Sequence, residues 1–364
     1  MKKFLDCISI VGATPSKFHG TKKYISTGAV ATTEIDESEV VEVTYEDRPS
    51  RANLSAEAGD ILFAKMQGTR KTLLLDSETE KNIYSTGFYA VRANPEVITT
   101  ECLYYLIDSE LFLAQKDKNC SGATQKAITN GGMAKIEISV PPLSEQGILV
   151  DKLKHLTQLI ADKKKQLNLF DEIIKSRFIE MFGDPKLNPR KWDMVTIGDI
   201  ATDVRYGTSR PATEGGKYPY LRMNNLTYEG HLDLTDLKHI DIPDNEIEKC
   251  VVRNGDVLFN RTNSVELVGK TCVYNLDSDM IIAGYIIRVR IDDRVLPVIL
   301  SSYLNSTVMK EQLRSMAKGA VNQANINAQE LRSISIYLPP ITLQHEFATF
   351  VEQVDKSKYH GEFT

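Results

Sequence analysis

The sequence carries one stretch twice: Ala58-Gly59-Asp60-Ile61-Leu62-Phe63-Ala64-Lys65 returns as Asn254-Gly255-Asp256-Val257-Leu258-Phe259-Asn260-Arg261. Each version is a turn signal that opens an apolar strand and ends in a cation. Thr86-Gly87-Phe88 is matched in the same way by Ala283-Gly284-Tyr285, so the period is near 197 residues. Solenoid repeats recur every 20–50 residues or so, and the much longer period here therefore indicates a duplicated domain.

Both copies also close alike. Residues 136–142 alternate apolar and polar side chains before Pro141-Pro142, and residues 334–340 do the same before Pro339-Pro340. Because proline cannot continue a strand ladder, each closing strand ends there. The sequence therefore predicts two copies of one mixed α/β domain, at residues 1–142 and 183–340.

A long helix is predicted between the copies, because apolar residues recur there in steps of four and three, interrupted by Lys163 and Arg177. We expect a central spacer segment at 143–182, with one helix over 144–181 that is about 57 Å long. A shorter helix with the same pattern follows in 341–364. The side chains expected at the helix interface are Leu149, Leu153, Leu156, Ile160, Leu167, Phe170, Ile174, Met181, Leu343, Phe347, Phe350 and Val354.

These apolar seams have two interpretations. They could join two chains in a homo-oligomeric coiled coil, or pair with each other as antiparallel helices within one chain. The second interpretation is favoured, because each helix follows one of two matching domains.

The composition is that of an ordinary folded protein: 364 residues, 42% hydrophobic and 26% charged, with a net charge of −5. No run approaches the roughly 18 apolar residues of a membrane span, and charges come too early for a signal peptide. We therefore expect a cytoplasmic protein. The five cysteines are odd in number and contain no Cys-x-x-Cys pair, which argues against a disulfide framework and a zinc site.

The common catalytic motifs are missing from the sequence. Ser264–Thr271 ends like a phosphate-binding loop, but Ser264 stands where the first glycine is needed. There is no Gly-x-Ser-x-Gly elbow, no His-Glu-x-x-His, no Glu-x-Lys triplet and no Asn-Pro-Pro-Tyr-like motif. The sequence therefore predicts recognition without catalysis, with no metal and no cofactor bound by this chain.

Residues suited to reading DNA stand at matching places in the two copies. Gln and Asn can pair with adenine, and Lys and Arg with guanine or phosphate. Since the chain is not basic overall, such contacts must come from local patches. In the first copy the candidates are Lys65, Gln67, Arg70, Lys71, Thr124, Gln125 and Lys126. In the second copy they are Tyr206, Thr208, Arg210, Arg222, Asn224, Asn225, Arg261, Asn263, Lys318, Asn322, Gln323 and Asn325. The alternative is that the amides only cap their own loops and that the cations lie on solvated hairpin tips.

In this order of elements the chain resembles the specificity subunits of type I restriction-modification systems. The likeness covers nearly the whole chain, and the duplicated order around a long helix is more specific than any single motif. It rests on Trp192, Ile197-Gly198-Asp199-Ile200, Gly207-Thr208, Gly255–Phe259, the amide loop at Gly319, Leu338–Ile341, the run Leu169–Pro185 and the repetition of this order in the first copy.

The resemblance implies two target recognition domains held apart by antiparallel coiled-coil helices that act as a ruler. Each domain would read one half of a split site in double-stranded DNA. Members of this family have no catalytic residues. Two methyltransferase subunits carrying S-adenosylmethionine would dock on the chain, and restriction subunits that use ATP would join them for cleavage and translocation.

The chain departs from the family pattern in two ways. The first copy lacks the tryptophan that leads the second at Trp192, and the final helix has about four seam positions against ten in the central one. We expect the apolar seam beyond Leu167 to be unpaired unless a methyltransferase subunit or a second copy covers it. The alternatives to a working specificity subunit are a truncated or recombined allele that assembles poorly and a non-catalytic coiled-coil adaptor that binds protein.

Overall fold

A computed structural model describes residues 1–317 and 324–360, with side chains up to Lys358. The chain divides into two compact units, Met1–Asp162 and Lys163–Thr364, called here the first and second unit. The division falls inside the central helix α4 (Leu143–Phe182), which begins and ends one residue outside the predicted 144–181. The boundary lies within the predicted spacer segment 143–182: the start of α4 packs on the first unit at Val150, and its end packs on the second unit at Phe178 and Phe182.

The first unit is built from short strands and helices. Its strands are β1 (Lys2–Lys3), β2 (Ile8–Val11), β3 (Lys22–Ile25), β4 (Val41–Val43), β5 (Ala52–Leu54), β6 (Ile61–Ala64), β7 (Thr72–Leu74), β8 (Ile83–Ser85), β9 (Phe88–Ala93) and β10 (Glu137–Ile138), and its helices before α4 are α1 (Thr100–Ile107), α2 (Glu110–Lys118) and α3 (Asn130–Met133).

The second unit repeats this plan. Its strands are β11 (Asp193–Thr196), β12 (Ala201–Tyr206), β13 (Tyr218–Leu221), β14 (Lys238–Ile240), β15 (Val251–Val252), β16 (Val257–Asn260), β17 (Thr262–Asn263), β18 (Thr271–Val273), β19 (Met280–Ile282), β20 (Ile286–Ile291), β21 (Ala324–Asn325) and β22 (Ser335–Leu338), and its helices are α5 (Ile197–Ile200), α6 (Asp244–Cys250), α7 (Pro297–Asn305), α8 (Thr307–Met316), α9 (Ala328–Arg332) and α10 (Ile341–His360).

Sheet topology is the clearest sign of the duplication. One four-stranded antiparallel sheet has the order β2-β9-β6-β7 in the first unit and β12-β20-β16-β18 in the second. The other has the order β4-β3-β8-β5 and β14-β13-β19-β15, with one parallel pair in each unit, β3 with β8 and β13 with β19. The fold is therefore mixed α/β, and the same arrangement is present twice, as the sequence predicts.

The repeated Gly-Asp pair has a local structural reason. Gly59 and Gly255 have φ angles of +88° and +91°, in the left-handed region that glycine tolerates. The aspartate that follows each is buried, and its pairing with an arginine compensates the loss of hydration. Asp60 lies 2.6 Å from Arg92 on β9, and Asp256 lies 2.9 Å from Arg290 on β20.

The two long helices form an antiparallel pair in the second unit. Phe347 of α10 is buried, and its ring centroid lies 5.5 Å from those of Phe178 and Phe182 in α4. Further along α10, the Lys358 Nζ lies 2.8 Å from Asp171, which is earlier in α4. Residue numbers rise along one helix as they fall along the other, so the helices run in opposite directions.

The pairing corrects one expectation from the sequence. The part of the seam beyond Leu167 is not the uncovered part, since α10 covers α4 between Asp171 and Phe182. Both helices enter the core of the second unit at Phe182 and Phe347, so their pairing must begin there. The exposed seam lies before Asp171, where Leu156 and Ile160 are 55% and 57% exposed and Leu149 and Leu167 are also exposed.

Candidate nucleic-acid interface

In the first unit, the structure brings the two donor-rich loops together. The loop 65–71 connects the antiparallel strands β6 and β7, and the segment 121–128 pairs with it. The Gln67 N–H donates to the Lys126 carbonyl at 3.0 Å, and the Ile128 N–H donates to the Lys65 carbonyl at 2.9 Å. The loops therefore form one short two-stranded ledge, although Lys126 lies 61 positions after Lys65 in the sequence.

The outer side of this ledge carries exposed polar side chains. Thr124, Gln125 and Lys126 are all exposed, as is Gln67, whose amide donates to the Asp117 carbonyl at 3.3 Å. An exposed amide and ammonium group on a paired backbone is the arrangement that base-edge and phosphate contacts need.

The other cations of the same loop are engaged within the unit. Arg70 forms ion pairs with Asp108 and Glu110 at 2.8 and 2.9 Å. Lys71 donates to the Thr27 carbonyl. The Lys65 ammonium donates to the Thr86 carbonyl at 2.9 Å and lies over the Tyr89 ring, and partial burial lowers its pKa. In this conformation these three side chains position the loop.

A buried lysine that the sequence reasoning missed holds the loop from below. Lys116 of α2 donates to the carbonyls of Ala64, Met66 and Thr69 at 3.3, 2.8 and 2.7 Å. Burial lowers its pKa, while Asp117 partly offsets that effect. Three carbonyls bonded to one ammonium group fix the shape of the loop. The sequence signal was weak, since a lysine on a mainly polar helix normally faces solvent.

The second unit builds the equivalent ledge from β17 and β21. Thr262 pairs with Asn325 and Asn263 with Ala324, and the Thr262 hydroxyl donates to the Asn325 side-chain oxygen at 2.8 Å. The Ile326 N–H donates to the Arg261 carbonyl at 2.9 Å, as Ile128 does to Lys65 in the first unit. Asn325 is exposed. Lys318, Asn322 and Gln323 were also predicted here, but they lie outside the described residues.

Among the described residues of this ledge, Arg261 is a cation with one side-chain N–H that has no hydrogen-bond partner. Its guanidinium lies 4.7 Å from the centre of the Tyr206 ring and donates to the Gly284 carbonyl at 3.3 Å. Its Nε is buried and has no hydrogen-bond partner among the residues that the structure describes. The Tyr206 hydroxyl accepts a bond from the Ala328 N–H, which fixes the ring under the arginine.

The remaining candidates of the second unit lie in the region of β13. Arg210 forms an ion pair with Glu246 at 2.7 Å, and Arg222 forms one with Asp236 at 2.7 Å. Thr208 and Asn225 are buried and bond to backbone groups, whereas Asn224 is exposed. Thr208 is linked to the ledge through Gly284, whose N–H donates to the Thr208 carbonyl at 2.7 Å and whose carbonyl accepts from Arg261. The side chains of Arg210, Arg222 and Asn225 bond instead to Glu246, Asp236 and the Asp233 carbonyl.

The segment that resembles a phosphate-binding loop has another role. The Lys270 ammonium is buried and donates to the Met223 carbonyl at 2.7 Å, and Thr271 begins the buried strand β18. An ammonium held by a carbonyl inside the unit cannot reach a bound phosphate.

Within 1–317 and 324–360, no group of three His, Cys, Asp or Glu side chains could hold a metal ion. Over the same residues no helix is long and apolar enough to cross a membrane.

The helix interface residues fall into two groups. Phe347 and Val354 are buried, and Phe170, Ile174, Met181, Leu343 and Phe350 are half-buried. Leu149, Leu156, Ile160 and Leu167 are exposed, and Leu153 is half-buried. The second group forms an apolar stripe on α4, which we call the open seam.

The chain is similar in sequence to curated specificity subunits of type I restriction enzymes. The chain is 25% identical over 285 residues to the type I restriction enzyme EcoKI specificity subunit of Escherichia coli K12, covering 74% of this chain and 61% of that protein. It is 29% identical over 171 residues to the putative MjaX specificity subunit of Methanocaldococcus jannaschii, covering 46% and 40%. The chain therefore spans less than two thirds of the length of these two relatives.

A solved structure of a specificity subunit and a family model are also similar to the chain. The HsdS subunit from Thermoanaerobacter tengcongensis superposes with a TM-score of 0.40 and 22% identity, covering 99% of this chain and 89% of that one. The family model of the type I restriction modification DNA specificity domain matches residues 10–169 and again 189–360. The chain belongs to the family of type I restriction-modification DNA specificity domains.

Proposed function

We propose that this chain is the DNA sequence-specificity subunit of a type I restriction-modification complex and that each unit reads one half of a bipartite site. The observation that carries the proposal is the paired-loop ledge, which is built twice at equivalent places and exposes amide side chains in both units. Membership of the specificity-domain family supports the same function.

Within each ledge we assign different roles to different side chains. Gln125 in the first unit and Asn325 in the second would contact base edges, where an amide can pair bidentately with adenine. Lys126, which is exposed, would contact phosphate. The Nε of Arg261 is buried, so we assign no DNA contact to that edge of the guanidinium. Arg70, Arg210 and Arg222 would contribute only after leaving their carboxylate partners, so we assign them no direct contact.

The chemistry would come from partner subunits. Methyltransferase subunits would supply S-adenosylmethionine, and restriction subunits would supply ATP-driven translocation and cleavage, while this chain would supply only recognition. The open seam of α4 is a suitable docking surface for the methyltransferase subunits, because four apolar side chains on one helix face are exposed there.

The first experiment is to co-express the chain with a cognate methyltransferase subunit in an unmethylated host and to map modified adenines across the genome. A split motif with two specific arms around a fixed gap is the expected result. A motif with a single arm would refute the assignment of one reader to each unit. Absence of methylation, despite a methyltransferase subunit that co-purifies with the chain, would refute the recognition function.

A binding measurement separates phosphate contacts from base contacts. Lys126→Ala should weaken binding to all sequences alike and reduce the slope of log K against log[salt] by about 1. Lys81→Ala is the matched control, because Lys81 is exposed on the same unit but pairs with Glu78 and not with a ledge residue. An equal change in slope for both variants would contradict the placement of the ledge on the DNA.

A further inference from the structure

Each long helix is fastened to its own unit by a buried glutamine. Gln146, in the first turn of α4, is 0% exposed. Its Oε1 accepts a bond from the Thr99 N–H at 2.7 Å. Its Nε2 donates to the Val97 and Pro141 carbonyls at 3.0 and 2.9 Å. One amide thus joins the start of α4 to two other backbone segments.

The second unit repeats the arrangement at the start of α10. Gln344 is also 0% exposed, and its Oε1 accepts from the Leu296 N–H at 2.9 Å. Its Nε2 donates to the Arg294 and Pro339 carbonyls at 3.0 and 2.8 Å. The two sets of three bonds agree to within 0.2 Å, bond for bond.

The bonded groups occupy equivalent places in the two units. Thr99 and Leu296 are the N-cap residues of α1 and α7, the helices on which the sheet of each unit packs. Pro141 and Pro339 follow the last strand of each unit, β10 and β22. Each glutamine therefore ties the first turn of a long helix both to a helix N-terminus and to a strand end of the same unit.

Only a glutamine satisfies this set of partners. The site presents one N–H and two carbonyls, so it needs an acceptor and two donors on one planar group. Glutamate would place an oxygen against two carbonyls, and asparagine is one methylene too short to reach all three. Because a buried amide is stable only when fully bonded, the three bonds also fix the orientation of the side chain and of the helix turn that carries it.

We propose that Gln146 and Gln344 are positioning residues that set the direction in which each long helix leaves its unit, and thereby the gap length that the chain accepts between half-sites. The second part rests on the proposed function. A swing of 10° at Gln146 would displace a residue 20 positions along α4 by about 5 Å, since the helix rises 1.5 Å per residue. One base-pair step along DNA is about 3.4 Å. If the glutamine no longer fixed the helix direction, the accepted gap length would therefore vary by more than one base pair.

The first test measures the helix direction without DNA. In the full chain with Cys120→Ser, spin labels are placed at Lys118 and Gln158, which are exposed and belong to the first unit, and their distance distribution is recorded. Gln146→Asn should at least double the width of the distribution. The matched control is Ile61→Val, which loosens the buried core of the same unit but leaves the glutamine bonds intact. Equal widths in the two variants would overturn the proposal.

The second test measures the gap. Purified chain with its methyltransferase subunit is given a DNA library whose gap is one base pair shorter than, equal to or one longer than the preferred gap. The unchanged chain should favour one gap by about tenfold, the scale of one mismatched base pair, and Gln146→Asn should reduce that preference to about threefold or less. Ile61→Val should lower total methylation without changing the preference.

The outcomes separate the two proposals. If the unchanged chain methylates no split motif, the proposed function fails, whereas the label distances still decide whether the glutamine orients the helix. If the motif is split but the gap preference of Gln146→Asn is unchanged, the inference fails and the proposed function stands. Gln344→Asn, with labels at Lys238 and Glu352, gives a second variant if Gln146→Asn does not fold.

Discussion

Replacing Lys310 with methionine should change how the stability of the second unit depends on pH. The Lys310 side chain is 4% exposed, donates to the Gly269 carbonyl at 2.9 Å and lies over the Tyr228 ring. Burial is the main cause that lowers the pKa of Lys310 from 10.5 to about 7, and the nearby cations Arg314, Lys175 and Lys270 act in the same direction, against Glu229. The folded chain therefore binds this proton only below about pH 7, whereas the unfolded chain binds it up to pH 10.5.

The sign and size of the effect follow from proton linkage. Between these two pKa values the unfolded state holds one more proton, so the free energy of unfolding rises with pH by about 1.4 kcal/mol per pH unit. From pH 6 to pH 9 the unchanged chain should gain about 2.5 kcal/mol relative to Lys310→Met, because the first pH unit lies below the folded pKa. Below pH 6 both states are protonated, and the difference should be constant.

Urea denaturation of both proteins at pH 6, 7, 8 and 9 measures this difference directly. Taking the difference cancels the other groups that titrate in the range, including the buried cysteines, whose pKa values are raised by burial. The fluorescence of Trp192, the only tryptophan of the chain, reports on the second unit. A difference in unfolding free energy that stays the same from pH 6 to pH 9 would refute the reasoning.

Three further predictions test the interface and the helices. Gln125→Ala should lower methylation at sites that carry the preferred bases of the first half-site by about 5- to 100-fold, the range of one bidentate base contact. The control Gln353→Ala, at another exposed glutamine, should leave methylation unchanged. Equal loss of discrimination in both arms of the motif would contradict independent readers. Leu156→Asp should abolish co-purification of a methyltransferase subunit without changing the melting temperature of the isolated chain. Gln158→Asp, on the same exposed stretch of α4, should leave co-purification intact. Capture of the subunit by Leu156→Asp would count against the open seam as the docking surface. Phe347→Ala should lower the free energy of unfolding of the second unit by about 3–5 kcal/mol, as expected for a buried phenylalanine. Urea denaturation measures this loss. A loss below about 1 kcal/mol, the size of a surface effect, would show that α10 is not packed as described.

Much of the fold could be predicted because duplication turns weak signals into strong ones. A single Gly-Asp turn before an apolar strand is common, but two of them in the same order with the same neighbours define a repeated domain. The structure gives both the same physical basis, a glycine with positive φ followed by a buried aspartate paired with arginine. The long helix was predictable because its heptad pattern is local and continuous.

The heptad pattern could not predict which part of the α4 seam is left uncovered by α10. Heptads show which side chains share a helix face, but they do not show where a partner helix begins. The position is fixed by Phe182 and Phe347, which enter the same core from sequence positions 165 residues apart. Such long-range packing leaves no trace in a local pattern, so the sequence alone suggested the wrong end.

The candidate interface was predictable at the level of loops and not of individual contacts. Residues 65–71 and 122–128 were identified by their donors, and the structure pairs them. Which donors face outward depends on partners elsewhere in the chain: Asp108 engages Arg70, and Glu246 engages Arg210. The glutamines were within reach, since Gln146 and Gln344 both stand four residues after the second proline of the repeated Pro-Pro pair.

The division of labour between buried and exposed polar groups bears on how such a chain can change its target. Lys116 holds the first ledge from inside, and the two glutamines hold the long helices, and all three are bonded to backbone atoms. A backbone carbonyl is present whatever side chain its residue carries, so these supports do not depend on the identity of the residues they hold. Gln125 and Lys126 are exposed on the ledge and can be exchanged without removing a support. We therefore expect substitutions at exposed ledge positions to alter the bases read while the fold and the helix directions persist, which the methylation map of Gln125→Ala tests directly.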